Sequence, residues 1–343
     1  MGNSLPSTQE WKDLYTAAIE FKRIECWNWM DDSDLFGVQN PVNREIGYCC
    51  VLGALGEMFG IAVYLGAEGL QEYLRVQSGE VSPEEFDAVH QRCLLASFDD
   101  RRFLQKPDFQ VIKNLGLKFR GSKSWPLFRS YRPGYYPWYL NKEESISLTI
   151  ALTQAREVAL RLKTSRDWFN PPSEDYCLVK IPEETEAGFK WRDEWSKLPQ
   201  REKEEFVIPP LDEIRLQKIK KLIFRRQGIW EGDLSYAPLP IHQGERPYFP
   251  FILLLVDHSS GFILKGHLLE PSGYGSEFQN HFLNLMEGVK FLPQEVWVKR
   301  EEVFKLLQLI TSKLGIKLRL HKKLPALEEA QKSMENAFLK RNF

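Results

Sequence analysis

The chain has 343 residues, of which 43% are hydrophobic and 27% charged, and its formal net charge is -1. This length exceeds one typical domain core, so two domains are expected, and the composition is that of an ordinary globular protein. The charge is divided unevenly: from Leu211 onward 20 Lys and Arg face 15 Asp and Glu, a net of +5, which leaves -6 for the rest. This small difference in net charge permits a nucleic-acid contact by the C-terminal part but does not imply one.

The cysteines and the apolar segments point to a cytoplasmic protein. The chain has five cysteines, an odd number, and no Cys-x-x-Cys pair that would signal a zinc or dithiol site. Buried, reduced thiols are therefore expected. The N-terminus lacks the basic and apolar regions of a secretory signal. The longest apolar stretch, Ile46 to Leu65, contains four glycines and Glu57, which favours a hairpin over a membrane span.

Residues 1–164 are predicted to form an α+β domain. Ser7 and Glu10 have the spacing of a capping box, and apolar residues follow at helical intervals. The segment 125–139 is rich in aromatic residues and prolines and should be extended. Further helices are predicted over 68–76, 83–91, 107–115 and 148–163, and strands over 36–39, 47–52, 58–65 and 93–98.

Residues 165–244 are predicted to be a connecting region rich in proline and charge. Two proline pairs, Pro171-Pro172 and Pro209-Pro210, bracket a charge-rich stretch. Short apolar pieces at 176–181 and 189–195 argue against disorder and indicate short strands. A run of cations over 215–226, interleaved with isoleucine and leucine, predicts a basic helix.

Residues 245–343 are predicted to form a second domain of the α/β class. Two strands form a hairpin around Ser260-Gly261, and the elements then continue in the order β-β-α-β-α-β-α. Ser276 and Gln279 have capping-box spacing ahead of the first helix of this domain. Alternation of strands and helices predicts a mixed, partly parallel sheet covered by helices.

The segment Val256-Asp257-His258-Ser259-Ser260-Gly261-Phe262 resembles the first hairpin of ribonuclease H-like integrases and transposases. In those enzymes a strand ends in Asp, and two or three carboxylates hold two divalent metals. The resemblance implies a second acid at the end of a later parallel strand. That strand reads Glu295 to Arg300 and ends in Lys-Arg, with Glu301 and Glu302 opening the next helix. No third strand is visible after the hairpin, so the sequence predicts a shortened core with a degenerate site.

The chain as a whole is similar to an uncharacterised bacterial family of two-part proteins with no assigned activity. The similarity covers most of the chain. It rests on 27–29, 34–41 and 46–49 in the first part, and on 250–261, 315–316 and 324–328 in the second. It implies two domains of unknown function.

Two surfaces are candidate binding sites. In the first, cations alternate with aromatic rings, which could stack on bases while the cations meet phosphate, or could pack inside the domain. In the second, the basic helix could contact phosphate, or could be a solvated face. Packing inside the domain is the favoured interpretation for the first set, and a solvated helix face is favoured for the second. The residues concerned are Trp125, Arg129, Tyr131, Arg132, Tyr135 and Trp138 in the first, and Lys220, Lys221 and Arg225 in the second.

No metal site, cofactor or partner is identified by the sequence. Asp257 is the single catalytic candidate, and turn formation is the favoured interpretation for it. His258, His267 and His281 lack the spacing of metal ligands. The first hypothesis is a non-catalytic binding or interaction protein. The alternative is a degenerate, divalent-metal-dependent, nucleic-acid-processing enzyme of ribonuclease H-like type.

Overall fold

A computed structural model describes residues 4–79, 88–186, 188–199, 208–223 and 225–341. The chain divides into two compact units, Met1–Lys203 (unit 1) and Glu204–Phe343 (unit 2). Each unit has its own mixed sheet and helices, which confirms the predicted α/β class. Within the described residues, no helix is both long and apolar enough to cross a bilayer.

Unit 1 is built on a seven-stranded sheet. Its strands are β1 (Phe36–Gln39), β2 (Ile46–Leu52), β3 (Phe59–Leu65), β4 (Cys93–Asp99), β5 (Trp125–Tyr131), β6 (Tyr176–Thr185) and β7 (Gly188–Lys197). They lie in the order β5-β4-β3-β2-β1-β6-β7. All neighbouring pairs are antiparallel except β1 and β6, which are parallel.

Two long helices cover one face of this sheet and enclose the main core of unit 1. The helices of the unit are α1 (Thr8–Ile24), α2 (Gly66–Gln77), α3 (Lys106–Asn114) and α4 (Lys142–Thr164). Ser7 and Glu10 cap α1 reciprocally, as the sequence predicted. Leu14 and Phe21 of α1 and Leu148 of α4 are fully buried in one cluster with strand residues. A second, smaller cluster includes Leu70 and Tyr73 of α2.

Two predictions in unit 1 need comment. The predicted helix over 83–91 lies mostly outside the described residues, and Ala88–His90 is a short 3-10 turn. Residues 176–197, which the sequence assigned to a connecting region with short strands, form a hairpin of two ten-residue strands, β6 and β7, at the edge of the sheet. Both strands extend beyond the apolar pieces into charged residues. They form ion pairs such as that between Lys180 Nζ and Asp193 Oδ1, 2.8 Å apart, and charged residues are typical of edge strands.

Unit 2 contains a five-stranded sheet. Its elements are α5 (Glu213–Leu222), β8 (Ile229–Tyr236), β9 (Phe251–Asp257), β10 (Ile263–Leu269), α6 (Tyr274–Val289), β11 (Glu295–Val298), α7 (Glu301–Leu314), β12 (Lys317–Leu320) and α8 (Pro325–Arg341). The strands lie in the order β10-β9-β8-β11-β12. β8, β9 and β10 form an antiparallel meander, while β11 is parallel to both β8 and β12.

This topology corrects two expectations. The predicted order β-β-α-β-α-β-α is present from β9 onward, but a further strand, β8, precedes it and occupies the centre of the sheet. The sheet therefore has five strands instead of the four expected, and Asp257 ends its second strand rather than its first. The predicted capping box of α6 is also wrong. The cap residue is Gly273, and the buried Gln279 side chain donates a hydrogen bond to the Leu306 carbonyl instead.

The two faces of the unit 2 sheet are covered differently. Trp230 and Leu234 of β8 are fully buried in a large cluster with residues of α6 and α7. The alternate residues of β8 point to the other face, where Leu327 of α8 and Leu324, just before this helix, pack on β9. Because side chains alternate along a strand, this second face receives Glu231, Asp233 and Ser235 from the centre of the sheet.

The close packing of β3 against β4 leads to a first prediction. A Cβ atom at Gly60 would lie 2.2 Å from the Ala96 carbonyl oxygen, which is backbone and cannot turn away. We expect Gly60→Ala to lower the free energy of unfolding by about 1–3 kcal/mol or more, as overpacked cores do. Gly266→Ala, at an exposed strand position where the nearest atom is 3.9 Å away, is the control and should change it by less than about 0.5 kcal/mol. Denaturant titration measures both, and equal effects would contradict the packing described.

Candidate functional site at the strand ends of unit 2

Asp257, the catalytic candidate from the sequence, forms the turn between β9 and β10. Its Oδ1 accepts hydrogen bonds from the Ser260 backbone N–H (2.9 Å) and the Ser260 hydroxyl (2.7 Å). Its backbone carbonyl accepts from the Gly261 N–H. These are the contacts by which Asp commonly stabilises a turn.

Glu231, in the interior of β8, is fully buried and fully paired. Its Oε2 accepts a hydrogen bond of 2.8 Å from the Leu327 N–H in the first turn of α8. Its Oε1 lies 2.5 Å from Nδ1 of His258. The amides at a helix N-terminus lack intrahelical partners and carry partial positive charge, so a carboxylate there fixes the start of the helix. Glu231 thereby joins the centre of the sheet to α8.

Aromatic rings continue from this carboxylate toward the surface. The His258 ring lies 4.4 Å from the Trp297 ring, measured between centroids, and Trp297 stacks on His321 at 4.2 Å. His258 follows β9, Trp297 is on β11 and His321 follows β12, so the stack extends across β8 at the centre of the sheet. His258 is thus held on two sides, by a buried carboxylate and by an indole.

Asp233, two residues further along β8, is almost completely buried but incompletely paired. Its Oδ1 has no hydrogen-bond partner in the structure, and its Oδ2 lies 3.9 Å from Nε of Arg300. Burial raises the pKa of the Asp233 carboxyl, and the charge of Arg300 partly opposes this effect. Burial, together with the charge of Asp233, also raises the pKa of Glu302. Both carboxyls therefore share one poorly solvated region.

The pairing of β8 with β11 explains why these groups meet. Gly232 is opposite Val298, and the strands are parallel, so the residues that follow Val298 come alongside Asp233. Those residues are Lys299 and Arg300, and α7 begins directly after them. The position where the ribonuclease H-like resemblance implied a second carboxylate is therefore occupied by cations. Across the described residues, no group of three or more His, Cys, Asp or Glu side chains could hold a metal ion.

The aromatic and basic candidates of unit 1 contact different parts of that unit. Arg129 donates to both oxygens of Asp108 on α3, at 2.9 and 2.8 Å, and its guanidinium lies over the Tyr139 ring. Arg132 pairs with Glu144 of α4 at 2.7 Å.

The rings of the segment are likewise engaged within unit 1. Trp125 contacts Phe109 and Phe119, and Tyr131 packs against the smaller cluster. Trp138 contacts the Tyr139 ring and pairs with Ser130 through its backbone, and the Tyr135 N–H donates to the Arg132 carbonyl. Each of the six candidates therefore has contacts inside unit 1.

The basic segment of unit 2 has two kinds of cation. Arg215 pairs with Glu287 of α6, and Arg226 donates to the carbonyls of Leu314 and Gly315 at the end of α7. Lys220 and Lys221 are exposed near the end of α5, and exposed Arg225 contacts Gln227. Arg215 and Arg226 therefore stabilise the unit, whereas Lys220, Lys221 and Arg225 lie at its surface.

Comparisons with known proteins were made at the level of families and of structures. Two family models match: a domain of unknown function (DUF7309) over residues 11–180 and a second domain of unknown function (DUF6930) over residues 215–335. The chain carries both domains. This confirms the similarity to an uncharacterised two-part family. No curated protein matches the chain.

Solved structures similar to the chain include a magnesium-bound catalytic core domain of HTLV-2 integrase. It is 17% identical over 35% of this chain and 74% of that chain, with a TM-score of 0.27. An intasome of simian T-cell lymphotropic virus with a PP2A regulatory subunit is 16% identical over 35% and 43%, with a TM-score of 0.28. The Mos1 strand transfer complex is 12% identical over 74% and 66%, with a TM-score of 0.21.

Sequence reasoning missed Glu231 and Asp233 because the segment Ile229–Tyr236 was placed in a connecting region. A signal was present: Trp230 and Leu234 alternate with the two acids, which is the period of a half-buried strand. Acids in such a pattern usually face solvent, whereas these two face the cluster formed with Leu327 under α8.

The Arg129–Asp108 contact predicts a structural role for the aromatic segment. Both side chains are about one-tenth exposed. Removing one partner leaves a buried charge, so we expect Arg129→Met and Asp108→Asn each to lower the free energy of unfolding by about 3–5 kcal/mol. The double variant should lose less than the sum, because neither charge remains. Denaturant unfolding of all four proteins measures this coupling. Strictly additive losses would contradict it.

The raised pKa of Asp233 predicts a pH-dependent stability. A carboxyl whose pKa is higher in the folded state costs no stability below its unfolded pKa, about 4, and lowers stability as the pH rises through the folded pKa. We expect Asp233→Asn to be more stable than wild type at pH 7 and equally stable at about pH 3. Thermal unfolding across this range, with the exposed Glu329→Gln as control, measures the difference. A destabilised Asp233→Asn protein at pH 7 would contradict the assignment.

Proposed function

We propose that the protein is a non-catalytic binding or interaction protein. The observation that carries the proposal is the guanidinium of Arg300, 3.9 Å from the Asp233 carboxylate at the ends of the parallel strands. Two-metal phosphodiester chemistry needs carboxylates on both strands to hold the ions. Arginine is positive at every pH a protein experiences, so it repels a divalent cation from that place.

The neighbouring charges support the same conclusion. Lys299 Nζ lies 3.5 Å from Glu328 Oε1 on α8, which engages another carboxylate of this region. Magnesium in protein sites is held by carboxylates and water at nearly ideal octahedral geometry. Asp233 and Glu302, each disfavoured as an anion by burial, would have to hold an ion beside two cations.

One observation favours the alternative, a degenerate enzyme of nucleic-acid processing. Asp233 keeps a buried oxygen without a hydrogen-bond partner and has a raised pKa, and such groups cluster at functional sites. A single cation bound by Asp233 and Glu302 after Arg300 moved aside would satisfy that oxygen. The positions of Arg300 and Lys299 make this the second candidate.

The remaining features support binding in the cytoplasm. All five cysteines are free and buried, as expected of a protein in a reducing compartment. Lys220 and Lys221 are exposed, and the described residues provide no ion pair for either. We propose that these two lysines and Arg225 form the surface that binds an acidic partner.

Replacing Arg300 tests the proposal by gain of metal binding. We expect wild type to show no shift in melting temperature with millimolar Mn²⁺ or Mg²⁺, because Arg300 rather than a second strand carboxylate faces Asp233. Arg300→Asp should gain a Mn²⁺-dependent rise, since a ligand that binds only the native state stabilises it.

Arg300→Gln is the matched control, because it removes the cation without adding a carboxylate. It should show no shift. A Mn²⁺-dependent rise in wild type, or hydrolysis of an oligonucleotide that depends on Mn²⁺ and on Asp233, would overturn the proposal in favour of the enzyme.

A further inference from the structure

Unit 1 contains a cavity that shares only Tyr131 with the candidate residues described above. It lies where the side chains of β2, β3 and β4 meet α2, and its volume is about 410 Å³. Small-molecule sites in proteins commonly measure about 300–1,000 Å³ and are mostly apolar with a few polar groups. Most side chains that line this cavity are apolar or aromatic, which fits that description.

From this cavity we infer that unit 1 binds a small organic cation with an apolar or aromatic body. Asp32 is the only charged residue among the described residues that line the cavity. Its carboxylate is exposed and has no ion pair with any described residue. A cation at the mouth of the cavity would therefore meet an unopposed negative charge.

The backbone of Asp32 is held in place by the cavity wall. Its carbonyl oxygen accepts a hydrogen bond of 2.7 Å from the Tyr73 hydroxyl and a longer one, 3.4 Å, from the Cys50 thiol. Burial raises the pKa of Tyr64 and Tyr73, and the charge of Asp32 is one of the smaller causes. The hydrogen bonds to its carbonyl thus hold the Asp32 backbone beside the two rings.

Three tyrosines give the cavity its aromatic character. Tyr64 and Tyr73 form a ring pair with centroids 5.3 Å apart, and Tyr131, a binding candidate from the sequence, lines the same cavity. Aromatic rings attract organic cations through their electron-rich faces, and cages of such rings recognise quaternary ammonium groups. The combination of one carboxylate with tyrosines selects a cation over an anion of the same size.

A metal ion fits this cavity poorly. The cavity provides one carboxylate, whereas hard cations need several oxygen ligands. Burial raises the pKa of the Cys93 thiol to about 12 and that of Cys50 even further, so neither offers a thiolate at neutral pH. This inference goes beyond the proposed function, because it concerns unit 1 and holds whether or not unit 2 is an enzyme.

Binding of benzyltrimethylammonium to the full chain tests the inference. We expect saturable binding by isothermal titration calorimetry, and weaker or no binding of the neutral benzyl alcohol and the anionic benzoate. Asp32→Asn should weaken binding of the cation by about tenfold, the effect of removing one charge near a protein surface. Asp31→Asn is the matched control, because Asp31 is equally exposed but lies outside the cavity and is hydrogen-bonded to Ser33. It should change the affinity less than about twofold.

A second variant tests the cavity without changing charge. Ala62 lines it from β3, and Ala62→Leu should fill it and abolish binding, with circular dichroism confirming the fold. Three results would overturn the inference: no binding of the cation to wild type, equal binding of benzyl alcohol, or equal losses in Asp32→Asn and Asp31→Asn. None of these three results would change the outcome expected for the metal titrations of unit 2.

Discussion

The structure of unit 2 depends on the burial of two carboxylates on its central strand, β8. Glu231 and Asp233 face α8 from the middle of the sheet and are at most 6% exposed. An ionised carboxylate can be buried only where hydrogen-bond donors or cations replace water. Glu231 has a partner for each of its oxygens, whereas Asp233 does not. Glu231 therefore has a structural role, and Asp233 is the carboxylate whose chemistry has to be explained.

Glu231 is part of the architecture. It accepts from the N-terminus of α8 and lies beside His258, so one buried side chain positions a helix and the turn after β9. Asp233 has an unpaired oxygen, and its nearest cation, Arg300, lies 3.9 Å away. Burial without a full set of partners raises the pKa of the Asp233 carboxyl and makes this carboxylate costly at neutral pH. The residues that follow β11 beside Asp233 are cations, so they do not provide a second carboxylate for a metal ion.

Much of unit 2 could be predicted from sequence because its apolar residues recur at the regular spacing of helices and strands. The hairpin at 249–269 and the elements that follow it were predicted in order. β8 was not, because Glu231 and Asp233 occupy positions that a strand buried on both faces normally gives to apolar residues. Partners distant in the chain make that burial tolerable: the Leu327 amide and His258 for one acid, Arg300 for the other. No local pattern reveals them.

Unit 1 illustrates the same limit in a different form. The β2–β3 hairpin and the cap of α1 follow from local signals, namely the glycines and the Ser7–Glu10 spacing. The aromatic and basic segment looked like a binding surface because its cations have no acids beside them in sequence. Asp108 and Glu144 reach Arg129 and Arg132 from α3 and α4. The cavity beside Asp32 is assembled from separate elements and is likewise invisible to periodicity.

The central claim is that the strand ends of unit 2 do not form a metal site. Anomalous diffraction at the manganese edge, from crystals of the full chain grown with Mn²⁺, tests it most directly. The account predicts no manganese peak beside Asp233, with the Arg300 guanidinium still within about 4 Å of that carboxylate, the usual limit of an ion pair. A peak coordinated by Asp233 and Glu302, with Arg300 displaced, would contradict the account.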